Sequence, residues 1–131
     1  MKTPSSRGAP PRRSVLLIED DAHTRDAMSA LLTGEGLRVI ASDEGRKALE
    51  LADLTRPALV VLDLAMQGMD GWEFLERRDG VPSLQGVPVL VVTASADAPP
   101  RGTSVLRKPV EPGELLATIR RLLRSAAGAP A

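Results

Sequence analysis

The side chains able to do chemistry together in this 131-residue chain are few: the acids Glu19 and Asp20, the acid Asp63, the hydroxyl of Thr93 and the ammonium of Lys108. Three carboxylates brought to one point repel one another and must either take up protons or recruit a cation. Hard oxygen ligands with no His or Cys among them suit Mg2+, which keeps several waters and binds few protein carboxylates. Such an ion also lets a phosphoryl group approach an acidic site, because it neutralises and bridges both partners. An Asp carboxylate can then act as nucleophile and become an aspartyl phosphate. Thr93 and Lys108 supply a hydroxyl and a cation for the phosphoryl oxygens. Nucleophile, metal ligands, hydroxyl and cation together make up the parts needed for phosphoryl transfer to a carboxylate.

Those residues can meet only if the fold brings them to one edge, and the hydropathy pattern says that it does. Val15–Ile18, Leu37–Ala41, Ala58–Leu62, Val87–Val92 and Val105–Leu106 are short, continuous apolar runs. Amphipathic stretches at helical spacing separate most of them, over Ala22–Leu32, Glu44–Leu54 and Trp72–Arg78, and a last one spans Glu111–Arg124. Gly34 and Gly36 end the first helix and Pro57 the second. Strands without alternation belong to a parallel sheet covered on both faces. Regular strand–helix alternation means a doubly wound α/β fold with a five-stranded parallel sheet. Ligands in such folds sit at the carboxyl ends of the strands, which is where Glu19, Asp20, Asp63, Thr93 and Lys108 fall.

The set Glu19-Asp20, Asp63, Thr93-Ala94 and Lys108-Pro109, with the stretch VLDLAMQGMDG that ends at Gly71, resembles the receiver domain of two-component response regulators. The resemblance covers about Ser14 to Arg124. It implies a flavodoxin-like receiver fold and a role for each residue. Asp63 accepts a phosphoryl group from a histidine kinase or histidine phosphotransfer protein. Glu19, Asp20, Asp63 and the backbone carbonyl of Ala65 bind Mg2+. Thr93 moves toward the phosphate, Lys108 pairs with it, and the peptide before Pro109 is cis. It also implies signalling through a downstream protein, with no enzymatic activity beyond self-phosphorylation and autodephosphorylation.

Two departures from the family stand out. Only 14 residues, Ala94 to Arg107, separate Thr93 from Lys108, whereas a helix, a strand and two loops need about 20. With Pro99, Pro100 and Gly102 in that stretch, the fourth helix is expected to be missing or reduced to about one turn. Val105 stands where the family often carries an aromatic residue that couples to the threonine. Gln67, Ala65 and Ser95 also differ from, or tune, positions around the family's phosphorylation loop.

Composition narrows the alternatives. Seventeen basic and seventeen acidic residues cancel, so no net field draws the chain to nucleic acid or to an anionic membrane. One Trp, one Phe and no Tyr leave no platform for stacking bases. The absence of Cys excludes thiolate metal sites and disulfides and fits a cytoplasmic location. The apolar runs are too short to span a membrane. Residues 1–13 read as a disordered basic arm, 14–124 as the domain and 125–131 as a flexible tail, which makes a stand-alone receiver. His23 and Trp72 read as surface or half-exposed helix residues, Asp21 as a helix cap, Asp70-Gly71 as a turn, and Arg120, Arg121 and Arg124 as a solvated helix face. The rival readings are a pseudo-receiver that binds partners without phosphorylation and a metal-dependent phosphatase. The latter needs a second acid just after its nucleophile, where this chain has Ala65.

Overall fold

In the computed structural model, which describes residues 13–66, 71–95 and 102–128, each of the five apolar runs becomes a strand. They are β1 (Ser14–Ile18), β2 (Arg38–Ser42), β3 (Leu59–Leu62), β4 (Val89–Thr93) and β5 (Ser104–Arg107). Helix α1 (Ala22–Gly34) joins β1 to β2, and α2 (Gly45–Thr55) joins β2 to β3. After β3 come α3 (Gly71–Arg77) and two single 3₁₀ turns at Arg78–Gly80 and Pro82–Leu84. Helix α4 (Pro112–Gly128) follows β5.

The sheet is entirely parallel, in the order β2-β1-β3-β4-β5. Successive strand residues point to opposite faces, and both faces are covered. Leu16, Ile18, Val60, Leu62 and Val91 pack under α2 and α3 with Ala48, Ala52 and Phe74. Val15, Leu17, Val61, Leu90 and Val92 pack under α1 and α4 with Leu32, Leu115 and Ile119. This two-sided burial is why the strands read as unbroken apolar runs. The chain leaves β1 for β2 on one side and later places β3 on the other. A crevice therefore opens between the carboxyl ends of β1 and β3, at the switch point where such sheets bind ligands.

Four helices lie among the described residues, and Ala94, Ser95, Gly102 and Thr103 between β4 and β5 are not helical. The rest of the expected short fourth helix, residues 96–101, lies outside the described residues. β5 has no fully buried residue. The arm was expected to run to Arg13, but that residue is held by two contacts: its carbonyl accepts from Arg38 N at 2.9 Å, and its Nη1 donates to Leu123 O at 2.8 Å. Residues 1–12 and 129–131 lie outside the described residues. The tail does not start at Ser125, because α4 runs on to Gly128. Ala126 and Ala127 are strong helix formers. No helix among the described residues is long and apolar enough to cross a membrane.

Candidate functional site

The sheet's hydrogen bonds set the site's positions. Asp63 N donates to Ile18 O at 3.0 Å, so the residue after β3 sits beside the residues after β1. Glu19 N donates to Ser42 O at 3.0 Å, which fixes the start of the acidic pair against β2. Lys108 N donates to Thr93 O at 3.0 Å, which places the lysine next to the threonine. Glu19, Asp63 and Thr93 are buried, and Asp20 is half-buried.

The Lys108 side chain crosses the end of β4 to reach two acids, with Nζ 2.8 Å from Glu19 Oε1 and 3.2 Å from Asp63 Oδ2. The remaining oxygens are also occupied: Asp21 N donates to Glu19 Oε2 and Ala65 N to Asp63 Oδ1, each at 3.2 Å. Ser95 N donates to Thr93 Oγ1 at 3.1 Å. The peptide between Lys108 and Pro109 is cis. Burial, reinforced by the charge of Asp63, raises the Glu19 carboxyl above its ordinary pKa, against the pull of Lys108 and Asp21 N–H. Burial alone would lower Lys108, but its hydrogen bonds and charge pairing with Glu19 and Asp63 outweigh that and raise it.

Glu19, Asp20 and Asp63 each offer a carboxylate oxygen, and these lie within 4.8 Å of one another. A Mg2+ ion takes ligands at about 2.1 Å, so small side-chain rotations would let all three reach one ion. All donors are hard oxygens, so the set fits that ion. Glu19, Asp20, Asp63 and Lys108 therefore meet in one crevice, Thr93 lies next to the lysine through its backbone carbonyl, and Ala65 gives its N–H to Asp63. Asp21 is the α1 cap, accepting from Thr24 N at 2.8 Å. His23 is exposed on the first turn of α1, Trp72 is half-exposed on α3, and Arg120 pairs with Glu35.

Two contributors were given no part in the site by the sequence. A Cβ at Gly71 would lie 2.6 Å from both Asp63 O and Leu64 Cα. The start of α3 is thus seated directly on the Asp63 backbone, with Gly71 N donating to Leu64 O at 3.0 Å. Gly71 opens α3, as a turn followed by a helix start implies; Asp70 and Gln67 lie outside the described residues. Arg25 Nη1 donates to the carbonyls of Glu19 at 3.0 Å and Asp20 at 3.4 Å. That contact links residues six and five apart across the turn from β1 into α1 and shows no motif.

Residues 15–120 match the response regulator receiver domain family. An uncharacterised 14.6 kDa protein of Leptolyngbya boryana is 32% identical over 114 residues, which cover 82% of this chain and 87% of that protein. The transcriptional regulatory protein HprR of Escherichia coli is 36% identical over 84% of this chain, and the match covers 51% of HprR, so the chain spans about half of that relative's length. The chemotaxis protein CheY4 of Vibrio cholerae superposes with a TM-score of 0.76 at 28% identity, over 86% of this chain and 99% of that one.

Proposed function

The chain belongs to the response regulator receiver domain family, and we propose that it takes a phosphoryl group onto Asp63 with the help of Mg2+. The observation that carries this reading is the Lys108 ammonium spanning Asp63 and Glu19 at the switch point of the sheet. The donor is a histidine kinase or a histidine phosphotransfer protein. A carboxylate oxygen of Asp63 attacks phosphorus, and the bond from phosphorus to the donor's imidazole nitrogen breaks. Glu19, Asp20, Asp63 and the carbonyl of Ala65 would hold the Mg2+, whose charge would offset the negative charge that gathers there. Lys108 is already held within reach of Asp63 and pairs with the phosphoryl oxygens, while Thr93 presents its hydroxyl to them.

Beside Lys108, a mostly apolar groove of about 680 Å³ runs between α1 (Ala27, Leu31) and Pro109, Val110 and Leu115. It offers the histidine-bearing donor a surface beside Lys108, which reaches Asp63. Signalling runs through a partner protein in the cytoplasm rather than through catalysis on a substrate, by biasing a two-state surface around Thr93. NMR of the labelled protein with Mg2+ and beryllofluoride tests this. Shifts at Asp63, Thr93 and Lys108 that need both components support it. A folded protein whose spectrum ignores both would instead be a pseudo-receiver that binds partners without phosphorylation.

A further inference from the structure

We infer that Arg25 is a positioning residue for the acidic pair, fixing the corner between β1 and α1 so that Asp20 meets Glu19 and Asp63. This rests on the reading of those three acids as a Mg2+ site. The ladder of β1 stops at Ile18, whose carbonyl takes the Asp63 N–H, and at Glu19 N, which goes to Ser42 O. The next two carbonyls, of Glu19 and Asp20, are the peptides whose orientation decides where the Asp20 carboxylate lies. Both accept from a single guanidinium nitrogen, Arg25 Nη1.

Arg25 is itself anchored, because its own N–H donates to Asp21 O at 2.9 Å and Asp21 caps the helix through Thr24. The corner is thus tied from β2, from the helix cap and from Arg25, whose side chain grips the Glu19 and Asp20 peptides together. Partners that orient metal ligands in this way matter to affinity nearly as much as the ligands do.

A role as positioner and a role as mere charge predict opposite signs. A cation beside a Mg2+ site repels the ion, so removing it would tighten binding if charge were all that mattered. Mg2+ titration of the full chain by amide NMR, for the wild type, Arg25→Met and Arg25→Lys, separates the two. Arg25→Met is expected to weaken Mg2+ about tenfold and, in the metal-free protein, to speed hydrogen exchange of the Asp20 and Asp21 amides. Arg25→Lys keeps the charge but not the reach to both carbonyls, and is expected to fall between; it carries the test if Arg25→Met does not fold. Unchanged or tighter Mg2+ binding in folded Arg25→Met, or in folded Arg25→Lys if only that variant folds, overturns the inference alone. A wild type that binds no Mg2+ overturns the reading of the acids as well.

Discussion

Lys108 Nζ stands 3.2 Å from Asp63 Oδ2, an ion pair that reaches from the end of β5 across β4 to the end of β3. The same ammonium holds Glu19 at 2.8 Å. Two buried acids therefore share one cation. Lys108→Met should leave them facing each other unpaired and cost roughly 1–3 kcal/mol of stability in metal-free protein. Saturating Mg2+ should recover much of that loss, because the ion takes over the neutralisation. Urea unfolding with and without Mg2+ measures it. An equal loss in both conditions would mean that the lysine does not balance these acids.

Gly71→Ala should disturb the site from behind. The new methyl carbon would sit 2.6 Å from Asp63 O and Leu64 Cα, and both are backbone atoms that cannot swing away. We expect destabilisation of about 1–3 kcal/mol together with slower phosphorylation. Gly34→Ala is the control: nothing lies within 4 Å of its added carbon, and it should be neutral or stabilise by up to about 1 kcal/mol. Similar melting temperatures for the two variants would contradict the close seating of α3.

How much of this could be read from the sequence follows from which contacts are local. Strands covered on both faces have no alternation, so Val15–Ile18 and Ala58–Leu62 stand out, and the residues after them mark the site. Helix ends were blurred where small residues suit either state: Ser125 to Gly128 read as a tail and are helical. The 3₁₀ turns at Arg78–Gly80 and Pro82–Leu84 carry no periodic pattern, and the second is held by a distant contact, Ser83 Oγ to Ala52 O at 2.9 Å. The roles of Gly71 and Arg25 at the site are not legible in the sequence for the same reason. Each acts on a backbone that only the folded sheet brings near it.

Thr93→Val tests the hydroxyl without disturbing the packing. Thr93 is fully buried in β4 and the substitution keeps its shape. It removes the acceptor of Ser95 N, a loss of about 0.5–1.5 kcal/mol. Phosphorylation-dependent chemical shifts beyond β4 should shrink sharply, while Mg2+ binding stays as it was. Full-sized shifts in the variant would remove Thr93 from the response.

Asp21 gives an acid-side signature. Its hydrogen bonds from the Thr24 hydroxyl and N–H lower its pKa below the ordinary 3.8. A carboxyl depressed in the folded state adds stability at pH values above its unfolded pKa and loses it as pH falls through the folded one. Asp21→Ala should therefore be less stable than the wild type at neutral pH, and the gap should close below about pH 3.8. Thermal melts across that range measure it, and a gap that stays constant with pH would assign the effect to something other than this cap.

The phosphoacceptor role of Asp63 is tested most directly by intact mass after incubation with Mg2+ and acetyl phosphate. The expected result is the gain of a single phosphoryl group, dependent on Mg2+ and absent in Asp63→Asn. A folded wild type that gains none, or an Asp63→Asn variant that gains it equally, would contradict that role.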